Sequence, residues 1–384
     1  MSRPASDTVP TARPTACRSI VTVGPLDFLS RTRHSEPRLR PTDIVGGTLA
    51  AQAIERGTAR PLAGSALAFS AVELLARTPD GVIRTVAALT TLLSALEDQS
   101  DRRGAIEAVL QRISAPRPAW AGFVLDRPLI MGILNVTPDS FSDGGHFFDR
   151  ARAVAHGRAL LAGGADIIDV GGESTRPGAM PVTLEEEGAR IEPVIRELAD
   201  AGATISVDTR HPIVMARALA AGARIINDIS ALADPAGLAL ATKARAPVVL
   251  MHMQGEPRTM QHAPAYELAP LDVLEFLETR ITACTGAGLA RANIVVDPGI
   301  GFGKTKAHNF EILARIALFH SLGTGVLLGA SRKSFLGGGV ESRLAGSLAT
   351  AVHAVEHGVQ VLRVHDVAET RAAIDVIAAL TSAC

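Results

Sequence analysis

The sequence predicts an α/β fold: a (β/α)8 TIM barrel over residues 126–384, preceded by a mainly helical N-terminal extension over residues 1–125. Three observations lead there. From Leu129 onward, eight short apolar runs alternate with Ala/Leu-rich stretches. Runs that are apolar throughout belong to parallel strands buried on both faces, and eight strand–helix units in roughly 250 residues is the usual size of a closed barrel. Nearly every run also ends in side chains that carry chemistry. A doubly wound sheet would show the same alternation but spread those ends along one edge, whereas a barrel gathers them around one mouth.

Taken in order, the extension opens with Pro and Arg, then continues with the Ala-rich stretches Gly64–Arg77 and Val82–Arg112, both read as amphipathic helices. In the second, Leu89, Leu92, Leu93 and Leu96 recur at helical spacing. Ser114-Ala-Pro-Arg-Pro118 reads as a linker, because two prolines remove donors and discourage helix. No chemical motif precedes it. The eight expected strands are Leu129–Val136, Ala165–Val170, Ala203–Val207, Arg224–Ile229, Pro247–Met251, Asn293–Val296, Gly325–Leu328 and Val359–Val364. Thr183-Leu-Glu-Glu186 has the capping-box pattern of a helix start. Gly202, Gly222 and Gly358 each stand just before a strand, where a helix end favours a residue that tolerates positive φ.

Composition narrows the function classes. A formal net charge of -1 leaves no basic excess to neutralise phosphates, which argues against nonspecific nucleic-acid binding. Lysine occurs only at Lys243, Lys304, Lys306 and Lys333, so each one merits inspection. Cys17, Cys284 and Cys384 show no CxxC or metal spacing and fit a reducing compartment. No apolar run approaches bilayer length and no signal-peptide pattern opens the chain, so a cytoplasmic location is expected.

The motifs lie at the strand ends. Gly132-Ile-Leu-Asn-Val-Thr-Pro-Asp-Ser-Phe-Ser-Asp-Gly-Gly145 is a strand followed by a long polar loop suited to moving over a ligand. Asp139 or Ser142 alone could cap a helix; the whole string is harder to explain so. In Gly171-Gly-Glu-Ser-Thr-Arg-Pro-Gly178, two glycines permit close backbone approach, while Thr175 and Arg176 can donate to an anion. Asp208, Asn227 and Asp297 each follow an apolar run directly. As helix caps they would be unremarkable; together they suit a flat heterocycle bearing several N–H donors, because a carboxylate pairs with an amino-pyrimidinone edge through two parallel bonds.

Gly299-Ile-Gly-Phe-Gly-Lys-Thr305 resembles a P-loop, but Pro298 stands where the first glycine is required. Ser331-Arg-Lys-Ser334 and Arg363-Val-His-Asp366 place cations and an imidazole on the last two strand ends, a region where barrels often bind phosphate. His252 reads as support for the site, and Arg343 receives no catalytic role.

Together these strings resemble dihydropteroate synthase, a pterin-binding TIM-barrel family. The matching segments are Asn135-Val-Thr-Pro-Asp-Ser-Phe-Ser-Asp143, Gly172-Glu-Ser-Thr-Arg-Pro177, Ser206-Val-Asp-Thr209, Ile226-Asn-Asp228, Met251-His-Met-Gln-Gly255, Asp297-Pro-Gly-Ile-Gly-Phe-Gly303, Ser331-Arg-Lys-Ser334 and Arg363-Val-His-Asp-Val367. They occur in order over about residues 128–380; the extension lies outside the resemblance.

The resemblance implies condensation of 6-hydroxymethyl-7,8-dihydropterin pyrophosphate with 4-aminobenzoate, inhibition by sulfonamides, and a homodimer. It implies that Asp208, Asn227, Asp297 and Lys333 hold the pterin, with Met251 and Phe302 lining its slot. Asn135, Arg363 and His365 would take the pyrophosphate, with Mg2+ near Asn135. Phe141, Thr175, Arg176, Pro177 and Ser334 would form the aminobenzoate site, and Asp143 would sit in the mobile first loop. Catalytic roles fall on Asp208, Asp297, Lys333, Arg363, His365 and Asp143. Two rival readings stay open: a pterin-dependent methyltransferase domain, which needs no pyrophosphate site, and a noncatalytic pterin-binding paralogue.

Overall fold

The structure is a computed structural model that describes residues 20–32, 35, 37–136, 146–173 and 182–383. The extension contains strands β1 (Val21–Thr22), β2 (Arg38–Gly46), β3 (Arg60–Pro61), β4 (Leu67–Thr78) and β5 (Gly81–Ala88). Among them run helices α1 (Pro25–Arg31), α2 (Gly47–Glu55), α3 (Leu89–Ser94) and α4 (Ser100–Ser114). The strands form one sheet in the order β1-β5-β4-β2, with β3 also pairing β4.

This corrects the mainly helical expectation for the extension. Gly64–Arg77 falls largely in β4, and Val82–Arg112 divides into most of β5 and then α3 and α4. The physical reason is burial on both sheet faces. Phe69, Val72 and Leu74 pack with Phe28, Leu92 and Leu110 of the extension's own core, whereas Leu75 and Val82 join the core of the barrel. An Ala/Leu-rich strand covered on both sides loses its period-two signature and reads as helix by propensity. The legible signal was Pro79-Asp-Gly81, a turn sequence between two apolar runs. It joins β4 to β5 as an antiparallel hairpin, closed by Thr78 Oγ1 donating to Gly81 O at 2.8 Å.

The eight expected barrel strands all form, within two residues at each end. They are β6 (Leu129–Asn135), β7 (Ile167–Gly171), β8 (Ile205–Asp208), β9 (Ile225–Asp228), β10 (Val248–Met251), β11 (Ile294–Asp297), β12 (Gly325–Leu328) and β13 (Val361–Val364). Every pairing is parallel, and β13 closes on β6 through Val361–Leu129 to Val364–Gly132. Around them lie α5 (His146–Ala162), α6 (Leu184–Asp200), α7 (Pro212–Ala221), α8 (Pro235–Ala244), α9 (Ala269–Gly286), α10 (Lys306–Leu313), α11 (Leu344–Glu356) and α12 (Val367–Ala383).

Local chemistry sets the ends of these helices. Thr183 and Glu186 make a reciprocal capping box at the start of α6, and Gly202, Gly222 and Gly358 adopt φ of 89°, 113° and 78° at the expected turns. Among the described residues, no helix is long and apolar enough to cross a membrane.

Inside the barrel, strand parity sorts the side chains. Leu129, Met131, Ile167, Ile225, Val249, Val295, Leu327 and Val361 point inward as the apolar lower layer. Trp120 caps that layer from below, 1% exposed, its indole N–H donating to Asn293 O at 3.1 Å. The extension docks on the barrel's side through arginines. Arg77 bridges to Glu267, Asp272 and Glu275, and Arg38 reaches Glu278 at 2.7 Å. Arg40, Arg84 and Arg315 converge on the buried Glu73.

Candidate active site

Two residues beyond Ile167, Ile225, Val295 and Val361, parity delivers the next inward side chain, and here the barrel turns polar. Asp169, Asp208, Asn227, Asp297 and Arg363 form this upper layer, with Met251 among them. Arg363 is its hub: Nε donates to Asp169 Oδ2 and Nη2 to Asp208 Oδ2, both at 2.6 Å. Asn227 Nδ2 donates to the same Asp169 oxygen at 3.0 Å. Asp228 faces outward instead, its carboxylate accepting from the N–H groups of Ser230 and Leu232 to shape the following turn.

The next elements bring in the remaining expected residues. Asp297 Oδ1 accepts from Gly299 N–H at 2.7 Å, fixing the start of the glycine-rich loop. Lys333 Nζ lies 4.5 Å from the Phe302 ring centroid and donates to Ile300 O. His365 N–H donates to Ser331 Oγ at 3.2 Å, and its Nδ1 lies 3.1 Å from the same hydroxyl.

Asn135 ends β6 beside Gly171. A Cβ built on that glycine would stand 3.8 Å from Asn135 Oδ1 and 3.7 Å from Asp208 Oδ2, so any larger residue would occupy the space between them. Ser334 is exposed at the start of a short 3-10 turn and touches none of these groups through a hydrogen bond. Phe141, Asp143, Thr175, Arg176 and Pro177 lie outside the described residues.

Burial governs the electrostatics. It pushes the Asp208 carboxyl up to about 7, against the pull of Arg363 and helped by Asp169. Asp297 also rises through burial, opposed by Lys333. Burial lowers Lys333 to about 8, although Asp297 favours its charge. For Arg363, burial works against the charge, but Asp169 and Asp208 outweigh it and hold the guanidinium firmly protonated. The arrangement can therefore grip a ligand with acceptors on one side and cations on the other, in a site largely screened from water.

Beside this layer, His211 Nε2 sits 3.6 Å from Glu173 and 4.0 Å from the buried Glu187. Hydrogen bonding to Glu173 raises the imidazole, and burial raises the Glu187 carboxyl beside it.

Two residues of the site escape the sequence reading. Asp169 lies mid-strand, 0% exposed, and the signal available was a lone acid inside an otherwise apolar run. Lys304, 3% exposed, stood out as one of four lysines and in the P-loop-like string but received no role; its partners are set by folding alone.

Comparison with known proteins agrees with this geometry. The family described as pterin binding enzyme matches residues 131–365. Dihydropteroate synthase of Escherichia coli (strain K12) is 48% identical over 264 residues, covering 67% of this chain and 94% of that protein. The Haemophilus influenzae dihydropteroate synthase is 47% identical over 251 residues, 64% of this chain and 91% of its own. Among solved structures, the Yersinia pestis enzyme in a sulfonamide drug complex aligns with TM-score 0.65 at 45% identity, covering 68% of this chain and 96% of that one. The Xanthomonas albilineans enzyme with 4-aminobenzoic acid aligns with TM-score 0.65 at 47% identity, covering 70% and 98%. The same enzyme in complex with 7,8-dihydropteroate gives 0.63 at 44%, covering 70% and 99%. With the barrel closed, the polar layer in place and the match running from β6 through β13, this chain belongs to the dihydropteroate synthase family of pterin-binding enzymes.

Proposed function

We propose that the chain is a transferase of folate biosynthesis that condenses 6-hydroxymethyl-7,8-dihydropterin pyrophosphate with 4-aminobenzoate, giving 7,8-dihydropteroate and pyrophosphate. The observation that carries this reading is the upper barrel layer, where Asp208, Asn227 and Asp297 gather with Arg363 and Lys333 at the strand ends. Support also comes from relatives solved with 4-aminobenzoic acid and with 7,8-dihydropteroate.

In this reading Asp208, Asn227 and Asp297 hold the pterin edge, with Met251 and Phe302 on its faces and Lys333 above the Phe302 ring. The methylene C–O bond breaks, the diphosphate leaves with the electron pair, and the aniline nitrogen forms the new C–N bond and loses a proton. Positive charge grows on the pterin, which the two buried carboxylates stabilise. Negative charge grows on the leaving group, which Arg363 and His365 stabilise; one such preorganised donor is typically worth roughly 3–4 kcal/mol. Aniline is a competent nucleophile, so no activating base is required.

Mg2+ fits this donor set. It favours oxygen ligands and takes few from protein when a substrate supplies phosphates, and Asn135 offers a neutral amide oxygen facing the Asp208 side of the mouth. Held by Asn135 and the diphosphate, the ion would neutralise charge on the leaving group. Phe141, Thr175, Arg176, Pro177 and Ser334 are proposed for the aminobenzoate, and Asp143 for the loop that covers it.

Residues 126–384 are proposed as the catalytic unit and residues 1–125 as a layer packed on its side. A cytoplasmic homodimer is proposed, formed through the last helices; the exposed Val376 and Leu380 on α12 support that face. A methyltransferase would leave the paired cations of β12 and β13 without a ligand to hold.

The test is pyrophosphate release that depends on aminobenzoate and Mg2+, measured on the full chain. D208A and R363A should each lower it at least about a hundredfold with the barrel still folded by circular dichroism. Near-normal turnover in either variant rejects the assigned roles.

A further inference from the structure

We infer that Lys304 is a positioning residue for the pterin end of the site, the internal anchor that holds the Gly299–Gly303 loop against β10. The inference rests on the function proposed above.

The loop cannot hold its shape by packing alone. Gly299, Gly301 and Gly303 take φ of 67°, 83° and 61°, a region that side-chain-bearing residues rarely adopt. Its backbone lies directly on the segment after β10: a Cβ on Gly299 would stand 1.9 Å from His252 O, and one on Gly303 would stand 2.3 Å from Gln254 O. No side chain of the loop can reach inward at these points; Phe302 N–H donates to Gly299 O at 3.1 Å within the loop, and tying the loop to the segment after β10 takes a donor that reaches both.

Lys304 supplies it. Its side chain folds back beneath the loop, and Nζ lies 2.8 Å from Gly299 O, 3.0 Å from Phe302 O, 3.3 Å from His252 O and 2.8 Å from His252 Nδ1. Nζ thus spans carbonyls of both the loop and the segment after β10, which no other single group in these contacts does. Burial lowers the Lys304 amine well below the usual lysine range, opposed by nearby Asp297.

Three of the residues expected to grip the pterin hang on this loop. Asp297 accepts from Gly299 N–H, Phe302 is the ring under Lys333, and Lys333 donates to Ile300 O. Releasing the loop from beneath would disturb all three at once. Tyr266 Oη also holds the loop, donating to Gly303 O at 2.7 Å at the loop's last residue. It is the natural control.

The experiment compares K304M and Y266F with the wild-type full chain. Steady-state kinetics vary each substrate, and fluorescence titration with 6-hydroxymethylpterin reads binding without turnover. K304M should raise the KM for dihydropterin pyrophosphate and the pterin dissociation constant at least tenfold, with the aminobenzoate KM within twofold. Y266F should lower the unfolding temperature yet keep both KM values within twofold. The inference is overturned if K304M binds pterin within twofold of wild type, or if both substrates weaken equally. Should K304M not fold, K304Q, which retains two N–H groups, is judged by the same criteria. Wild-type protein that binds pterin but releases no pyrophosphate would sink the proposed reaction while the anchor is still decided by titration; wild-type protein blind to pterin would overturn both.

Discussion

Replacing Asp169 by alanine probes the polar layer at its base. The carboxylate is fully buried, and its Oδ2 accepts from Arg363 Nε at 2.6 Å and from Asn227 Nδ2 at 3.0 Å. Removing it deletes a charge-assisted hydrogen bond, worth roughly 1.5–3 kcal/mol, and strands the Asn227 amide at a cost of about 1–3 kcal/mol. Arg363 keeps Asp208 at 2.6 Å, so its charge is not left alone. That should hold the loss near the lower end of the ~3–5 kcal/mol typical when one partner of a buried pair is removed. The expected destabilisation is about 3 kcal/mol. Urea unfolding of D169A, R363M and the double variant reads it, with a coupling energy of about 2 kcal/mol between the two sites. If the two losses simply add, within about 0.5 kcal/mol, the pair does not interact in the folded protein and the account of the layer fails.

Three further outcomes follow from the same structure. Burial places the Asp208 carboxyl at about 7, and in the proposed function the pterin pairs with its ionised form. Pterin affinity should therefore fall about tenfold per pH unit below about 7, and a flat profile down to about pH 5 would remove Asp208 from that role. The same shift has a stability consequence of definite sign. The folded value lies above that of the unfolded chain, so this group's contribution is present at acid pH and lost as pH rises through about 7. D208N should flatten that slope in urea midpoints. W120A should cost about 3–5 kcal/mol, because the indole closes the apolar lower layer and its N–H is bonded to Asn293 O. A loss under about 1 kcal/mol by thermal or urea unfolding would mean that other groups close the barrel base.

The barrel was legible because its strands are short, apolar on both sides and punctuated by polar ends. The extension was not. The β4 run Leu67-Ala-Phe-Ser-Ala-Val-Glu-Leu-Leu-Ala-Arg-Thr78 carries helix-forming residues, and only the neighbours on its two faces make it a central strand. Propensity is a local quantity of tenths of a kcal/mol per residue, and burial on two faces overrides it.

For the site, the sequence by itself determined the chemical inventory. Asp208, Asn227, Asp297 and Arg363 could be chosen because each stands at or near the end of an apolar run, and Lys333 because it lies in the polar loop after one. Tertiary structure decided their company. That Arg363 pairs with Asp169, 194 positions away in sequence, and that Lys304 folds beneath the loop it follows, are results of barrel closure and backbone curvature. Strand parity fixes which way a side chain points, but a chain must close into a ring before inward-pointing groups from opposite strands can meet.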